Sequence, residues 1–292
     1  MKNPIVNNLV LLLIAIIWGF GFVPQRLGME HLGPAAFNAL RFGIGALTLL
    51  PIVLMTRSIT RGVLLHPSTI GLGLVLGGLL FGGATFQQVS IQFTSLANVA
   101  FITGLYVIVV PIIGFFIGYK YKLIVWIGGF IAMVGLYLMT GSNGDLALKG
   151  DMLALIGAVF WAIHLLVLAR KAGGHNQLVL AFYQFIFCAG LSAVGALLFE
   201  DRLLPAQSAG YLWPAVNGIL VVGIAYTLQV MVMEFAEPFA ASLILSLEAV
   251  FGAIAGYLIF AEQLASAAML GAVMMLLGCL LAQMPGSQSE NQ

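Results

Sequence analysis

Long apolar runs, separated by turn residues or charges, alternate along the whole chain. A membrane-spanning helix needs about 17 to 25 mostly apolar residues, and the runs have that size. Ten such spans are predicted, at 7–27, 34–56, 68–92, 95–118, 122–140, 151–171, 177–199, 209–233, 238–260 and 264–283. The pattern therefore predicts an all-α membrane protein with ten transmembrane helices.

Composition agrees with this pattern. Hydrophobic residues make up 62% of the chain and charged residues only 7%, against about 45–50% and about 25% in soluble domains. The first apolar run continues through Trp18 and Phe22 to Pro24 without an Ala-x-Ala-like cleavage site. It is therefore predicted to be a mature first helix and not a signal peptide.

The distribution of Lys and Arg predicts the orientation, because cytoplasmic loops carry an excess of these residues. An even number of spans leaves both termini on one side of the membrane. That side carries Lys2, Arg57, Arg61, Lys120, Lys122, Arg170 and Lys171, whereas the other side carries Arg26, Lys149 and Arg202. Both termini are therefore predicted to be cytoplasmic, in a cell inner (plasma) membrane, with no sizeable domain outside it.

The two halves of the chain align weakly with each other. At an offset of 143 or 142 residues, the matched pairs are Trp18 with Trp161, Phe42 with Phe185, Gln87 with Gln229, Phe93 with Phe235, Leu105 with Leu247, Gly114 with Gly256 and Gly129 with Gly271. We interpret residues 1–145 and 146–292 as two five-helix repeats, the second ending in a short cytoplasmic tail. Because each repeat has an odd number of spans, the second is inverted, as in many secondary transporters that work by alternating access.

Two segments resemble a known family. Residues Ala15–Pro51 resemble the opening of EamA-type members of the drug/metabolite transporter superfamily. Residues Ser242–Gln283 are similar to that family's Ser-Leu-Glu signature, followed by a small-residue helix, an acidic turn and a last span containing glycine. Ala249 stands where the family commonly has proline, so helix nine is expected to be locally straight.

The resemblance implies ten helices in inverted halves and a central cavity bounded mainly by helices one, three, four, six, eight and nine. It also implies that small metabolites are the cargo and that they are exported. Amino-acid exporters of the YddG type are the subgroup expected. Nucleotide-sugar and drug carriers share the aromatic and amide residues on which this narrower expectation depends.

Ionisable residues inside a membrane are costly and are therefore candidates for function. Glu248, about 15 Å along helix nine, either titrates a proton, binds a substrate amine or is a structural carboxylate. Arg41 either binds a substrate carboxylate, pairs with Glu248 or extends toward the outer headgroups. His164 is either a proton relay or a packing residue.

Aromatic and neutral polar residues complete the set of candidates for substrate binding. Trp18 and Trp161 lie mid-span, away from the interfacial aromatic belt. They are predicted either to wall a cavity for an apolar side chain or an amine, or to pack helices. Neutral polar groups can hold a zwitterion without burying further charges, or can bond helix to helix. The candidates of this kind are Thr85, Gln88, Asn98, Tyr106, Tyr183, Gln184, Tyr226 and Gln229.

Several functions are disfavoured. The sequence contains no His-Glu-x-x-His, Gly-x-Ser-x-Gly or phosphate-binding loop, so we expect no enzyme, no direct use of ATP and no cofactor or metal. Cys188 and Cys279 lie in apolar runs and are interpreted as buried free thiols. A channel or scaffold is the remaining alternative, against which the repeat weighs.

The partners expected are a small-molecule substrate and the lipid bilayer. A net charge of +1 without a basic run argues against nucleic acid. Gly-x-x-x-Gly pairs serve internal packing as readily as dimer contacts. A monomer is therefore compatible with them.

Overall fold

The computed structural model describes residues 3–56, 59–94, 96–140, 148–261 and 266–282, and these are helical without strands. The first half contains α1 (Pro4–Gly28), α2 (Pro34–Met55), α3 (Arg61–Leu64), α4 (Pro67–Ser90), α5 (Leu96–Gly104), α6 (Tyr106–Phe116) and α7 (Leu123–Thr140). The second half contains α8 (Leu148–Lys171), α9 (Gln177–Phe199), a 3-10 turn (Ser208–Tyr211), α10 (Leu212–Val216), a π-helical segment (Asn217–Tyr226), α11 (Thr227–Met233), α12 (Pro238–Leu245), α13 (Glu248–Phe260) and α14 (Ser266–Ala282).

Seven helical segments of the described chain are long and apolar enough to cross a membrane. They are Pro4–Gly28, Pro34–Met55, Pro67–Ser90, Leu148–Lys171, Gln177–Phe199, Ser208–Met233 and Pro238–Phe260. Three shorter apolar helices, Ile102–Phe116, Leu123–Leu138 and Met269–Ala282, lie in the remaining predicted spans. Large apolar side chains such as Phe130 and Leu258 are more than 60% exposed. Such a surface suits lipid and not water, so the protein is a multi-pass membrane protein.

Local sequence explains where the helices begin. Proline, which lacks an N–H and has a helix-compatible φ, is favoured at the first helical position. It opens four helices, as Pro4, Pro34, Pro67 and Pro238. Asparagine caps two helices: the side chain of Asn3 accepts a hydrogen bond from the Ile5 N–H, and that of Asn176 accepts one from Val179. These bonds satisfy N–H groups that have no partner within the helix.

Glu237 caps α12 from just outside the helix. Its carboxylate accepts hydrogen bonds from the backbone N–H groups of Phe239 (3.1 Å) and Ala240 (2.7 Å). Burial raises the pKa of Glu237 above its ordinary value, although these two hydrogen bonds act in the opposite direction. An ionisable cap therefore lies at the start of the segment that leads to Glu248.

Regular α-helical hydrogen bonding in helix nine is interrupted between Leu245 and Glu248, even though position 249 is Ala249 and not proline. Here the backbone bonds tighten to three-residue spacing, from Leu247 N–H to the Ile244 carbonyl and from Ala249 N–H to Ser246. The Ser246 hydroxyl also donates to the Leu243 carbonyl, and such serine bonds bend helices. Proline is therefore not needed for the interruption.

The first half is interrupted at the matching place. There α5 ends at Gly104 and α6 begins at Tyr106, and Leu105, which aligns with Leu247, lies between them. The Leu105 N–H donates to the Ile102 carbonyl with the same three-residue spacing. Each half therefore places a helix start near the middle of its apolar run.

The two halves are interleaved and not packed side by side. Helix α2 packs against α9, α7 against α14, α4 against α8 and α9, and α1 against α13 and the π-helical segment. The α7–α14 contact is close, since a Cβ added to Gly128 would lie 2.6 Å from the Gly278 carbonyl oxygen. Small residues permit such close backbone approach in lipid. Most helix contacts therefore join one half to the other.

Candidate functional site

A central cavity lies where helices of both halves meet. Its lining residues are Trp18, Phe22, Gln25, Arg41, Gln87, Thr103, Tyr106, Trp161, Leu165, Val221, Tyr226, Gln229, Leu245 and Glu248. The space outside protein atoms is about 510 Å³, including the part open to solvent. The lining therefore combines ionisable, amide and aromatic side chains from both halves of the chain.

Three aromatic rings form a continuous wall of the cavity. The ring of Tyr226 lies 4.8 Å from that of Trp18 and 5.8 Å from that of Trp161, measured between centroids. The Trp161 and Tyr226 rings are nearly parallel, at 20°. Both tryptophan Nε1 atoms are buried without a hydrogen-bond partner in the described structure. The wall therefore offers flat apolar faces and two unused N–H donors.

Arg41 is the positive charge of the cavity and is only 1% exposed. Its Nη1 donates to the side-chain oxygen of Asn217 (3.4 Å), and its guanidinium lies 5.0 Å from the Phe42 ring centroid and 5.7 Å from that of Phe37. Nε and Nη2 have no hydrogen-bond partner among the described residues. The guanidinium therefore neither pairs with Glu248 nor extends to the membrane surface.

Glu248 is the acidic residue of the cavity lining, and the helix interruption places it at a helix start. It is the first residue of α13, where the helix dipole favours a carboxylate. Tyr106, the first residue of α6, lines the same cavity, and its hydroxyl has no hydrogen-bond partner among the described residues. Arg41, Glu248 and the three rings of the aromatic wall therefore line one cavity.

Two amides give the cavity neutral polar groups. Gln87 donates to the Thr103 hydroxyl (3.1 Å), and both side chains line the cavity. The side-chain oxygen of Gln229 has no hydrogen-bond partner in the part of the chain that the structure describes. Gln87 and Thr103 are therefore hydrogen-bonded to each other, whereas the Gln229 oxygen can accept a hydrogen bond from a ligand.

The structure brings seven of the predicted site residues together at the cavity: Trp18, Arg41, Tyr106, Trp161, Tyr226, Gln229 and Glu248. Gln88 follows the cavity residue Gln87 in the sequence but is not part of the lining. Its side-chain N–H donates to the Gln25 carbonyl (3.3 Å). Thr85 is half-buried with an unpartnered hydroxyl oxygen outside the lining. The side chain of Asn98 lies outside the described residues.

Three further candidates lie between helices rather than at the cavity. His164 and Gln184 are both fully buried and share a hydrogen bond of 3.0 Å between the His Nε2 and the Gln Oε1. Tyr183 donates through its hydroxyl to the Leu64 carbonyl (3.0 Å). These residues join helix to helix in this structure.

Sequence reasoning did not select several functional positions. The polar ones are Gln25, Gln87, Thr103 and the Arg41 partner Asn217, and the apolar ones are Phe22, Leu165, Val221 and Leu245. A signal for Gln87 was present, because it and not Gln88 aligns with Gln229. For Asn217 no such signal exists, since its role depends on the π-helical segment.

No cluster of three or more His, Cys, Asp or Glu side chains within the described part of the chain could hold a metal ion. Cys188 and Cys279 are buried and free, as expected from their apolar surroundings. The chemistry that the site offers is therefore binding by two opposite charges, amides and aromatic faces.

Comparisons with known proteins identify the family. The EamA-like transporter family matches the chain twice, over residues 6–141 and 148–284. An uncharacterized transporter from Archaeoglobus fulgidus is 29% identical over 278 residues, which cover 94% of this chain and 84% of that protein. The uncharacterized transporter YoaV from Bacillus subtilis is 25% identical over 281 residues, covering 92% of this chain and 93% of that protein.

A crystal structure of another protein shares the fold. It superposes with a TM-score of 0.82 at 20% sequence identity, over 96% of this chain and 98% of the other. The family match covers nearly the whole chain, and these two relatives are transporters, not enzymes. The protein therefore belongs to the EamA-like transporter family of the drug/metabolite transporter superfamily and is a membrane transporter.

Proposed function

We propose that this transporter exports amino acids, chiefly those with aromatic or apolar side chains, from the cytoplasm by alternating access. The observation that carries the proposal is the presence of Arg41 and Glu248 in one cavity that the Trp18, Tyr226 and Trp161 rings also line. One positive and one negative charge match the two charges of a zwitterion. The aromatic faces match its apolar or aromatic side chain.

The proposed architecture is ten spans in two inverted five-helix repeats with both termini cytoplasmic. The interleaved packing and the matching interruptions at Leu105 and Leu247 support it. Inverted halves can rock about a shared site and open it to each side in turn. The orientation can be tested with reporter fusions at the C-terminus, since a reporter active only outside the cytoplasm should be inactive there.

The cavity residues suggest which side is open in this conformation. Gln25 lies in the last turn of α1, Gln87 in the last turn of α4, and Arg41 in the second turn of α2. In the proposed orientation these positions lie in the outer half of the membrane. At the other end Arg170 donates to the Ile117 carbonyl (3.0 Å), and Tyr119 stacks on Tyr121. The conformation is thus proposed to be outward-facing.

Transport in reconstituted liposomes tests the cargo. Uptake of labelled phenylalanine would be measured against a panel of unlabelled aromatic, aliphatic and charged amino acids, amines and nucleotide sugars. Aromatic and large aliphatic amino acids should compete most strongly. Competition by nucleotide sugars or cationic compounds, with none from amino acids, would replace this proposal by another small-solute carrier.

Matched tryptophan variants separate the cavity from general stability. Trp161→Ala removes a cavity wall, whereas Trp126→Ala removes a half-exposed ring that packs on Phe239 outside the cavity. Uptake of labelled phenylalanine into inside-out vesicles should weaken in the first variant and stay near wild type in the second. Equal effects in both would argue that the aromatic wall does not contact cargo.

A further inference from the structure

The guanidinium of Arg41 has one edge occupied and one edge free. Asn217 accepts from Nη1, whereas Nε and Nη2 have no partner among the described residues. Nε and Nη2 form one side of the guanidinium plane, the side that can donate two parallel N–H···O bonds to a carboxylate. A buried charge with two unused donors is costly, and the cavity that Arg41 lines is the place where a ligand can meet them.

Asn217 determines how this edge is held. It is fully buried at the start of the π-helical segment and is not part of the cavity lining. Its side-chain N–H donates to the Gly21 carbonyl of α1 (3.1 Å), while its oxygen accepts from Arg41 of α2. Asn217 therefore connects three segments and leaves Arg41 few ways to turn. π-Helical turns are uncommon and often occur at functional sites.

We propose that Arg41 is a carboxylate subsite of the central cavity and that Asn217 is its positioning residue, holding the Nε–Nη2 edge toward the ligand. This inference rests on the proposed function, because it assigns one end of the transported zwitterion. The ammonium group then lies toward Glu248, the acidic residue of the same lining.

The charge of the cavity favours a carboxylate over a phosphate. Arg41 and Glu248 are a basic and an acidic group that both line the cavity, so when both are ionised a ligand with one negative and one positive group leaves no unpaired charge. A phosphate dianion would place two negative charges near Glu248 against one guanidinium. Repulsion inside a low-dielectric cavity makes that arrangement unfavourable.

Binding of four related probes to the purified full-length protein tests the subsite. Phenylalanine carries both charges, its amide and phenethylamine lack the carboxylate, and 3-phenylpropionate lacks the ammonium. Wild type should bind phenylalanine about tenfold or more tightly than its amide, because charge-assisted bidentate bonds are strong. It should also bind 3-phenylpropionate measurably, and phosphate should not compete.

Variants of the two residues then locate the effect. Arg41→Gln introduces the residue found at the aligned position of the second half and should bring the phenylalanine-to-amide ratio to within about twofold, with phenethylamine binding unchanged. Arg41→Lys keeps the charge without the planar fork and should give an intermediate ratio. Asn217→Ala should lower the same ratio, whereas Asn7→Ala, a buried asparagine outside the cavity, should not.

The outcomes separate this inference from the proposed function. A purely structural defect would weaken binding of all four probes together and leave the phenylalanine-to-amide ratio unchanged. An unchanged ratio in Arg41→Gln therefore overturns the carboxylate subsite. If that variant fails to fold, an unchanged ratio in both Arg41→Lys and Asn217→Ala does so. Preference of wild type for 3-phenylpropionate over phenethylamine without transport of phenylalanine overturns the amino-acid cargo alone. Binding of none of the probes overturns both.

Discussion

The two halves of the chain build one cavity that includes equivalent positions, but its ionisable residues stand where the halves differ. Trp18 and Trp161 align and both wall the cavity. Gln87 and Gln229 align and both line it. Where the halves agree, they provide the frame of the site, namely flat aromatic faces and amides.

The two ionisable residues of the cavity have no ionisable counterpart in the other half. Arg41 aligns with Gln184, and Glu248 aligns with Tyr106. Gln184 is occupied by its hydrogen bond to His164 away from the cavity lining, whereas Arg41 has two free donors in the cavity. Each half thus contributes one charge that its partner lacks. A cavity whose tryptophans and amides are repeated in both halves, but whose charged residues are not, can bind a polar ligand in one orientation.

The largest effect is expected at the aligned pair Glu248 and Tyr106. Glu248→Gln removes the negative charge of the cavity and should reduce transport by about tenfold or more, since hydrogen bonds to charged groups contribute about 1.5–3 kcal/mol. Tyr106→Phe removes a hydroxyl without a partner in the described structure and should have little effect. Initial rates against pH in liposomes would measure both. An unchanged rate and pH profile in Glu248→Gln would contradict a role in cargo binding or proton coupling.

The packing of one half against the other is tested at the contact between α7 and α14. Gly278→Ala would place a Cβ against the Gly128 carbonyl oxygen, and overpacking of this kind costs about 1–3 kcal/mol. The melting temperature in detergent should fall, while the apparent affinity of the folded fraction for cargo should not change. Gly78→Ala is the control, because nothing lies within 4 Å of a Cβ there. Equal melting temperatures in the two variants would contradict the close contact.

The aromatic pair tests whether equivalent positions contribute equally. Trp18→Ala and Trp161→Ala each remove a ring that contacts Tyr226. Aromatic pairs contribute about 0.5–1.5 kcal/mol, so each variant should raise the apparent KM for phenylalanine by roughly 2- to 10-fold. Phenylalanine substitutions at the same sites should recover part of the loss. A large effect at one site and none at the other would mean that the two equivalent tryptophans do not contribute equally to binding the cargo.

The smallest effect is expected at Glu237, the cap of α12. Its aligned position in the first half is Ser95, which does not titrate in this range. Because burial raises the pKa of Glu237, the folded protein binds this proton more tightly than the unfolded chain, whose pKa is near 4.5. Stability should therefore fall as the pH rises from that value through the raised pKa. Glu237→Gln should make the melting temperature less dependent on pH in this window. A melting temperature that depends on pH as steeply in the variant as in the wild type would contradict a raised pKa of Glu237.

Much of the fold could be predicted from the sequence, because lipid imposes the length of apolar runs. Pro34 and Pro67 begin helices within one residue of the predicted starts. The interruption before Glu248 could not be predicted from Ala249. It depends on serine hydroxyls and backbone bonds that a composition pattern does not contain.

The site was harder to predict than the fold. Helix α4 is apolar around most of its surface, so periodicity does not tell which of the neighbours Gln87 and Gln88 faces the cavity. Asn217 was missed for a related reason, since π-helical turns shift the faces that side chains occupy. Ionisable residues were easier to find, because burying a side chain such as Arg41 or Glu248 in a membrane is costly and therefore marks it as a candidate for function.

Counterflow in reconstituted liposomes tests the central claim most directly. Vesicles loaded with unlabelled phenylalanine would be diluted into a trace of labelled phenylalanine, and the internal label followed over time. A carrier with one alternating site predicts saturable exchange, with the label rising above its equilibrium level before it declines. A flux that is linear in concentration and indifferent to internal phenylalanine would contradict alternating access and indicate a channel.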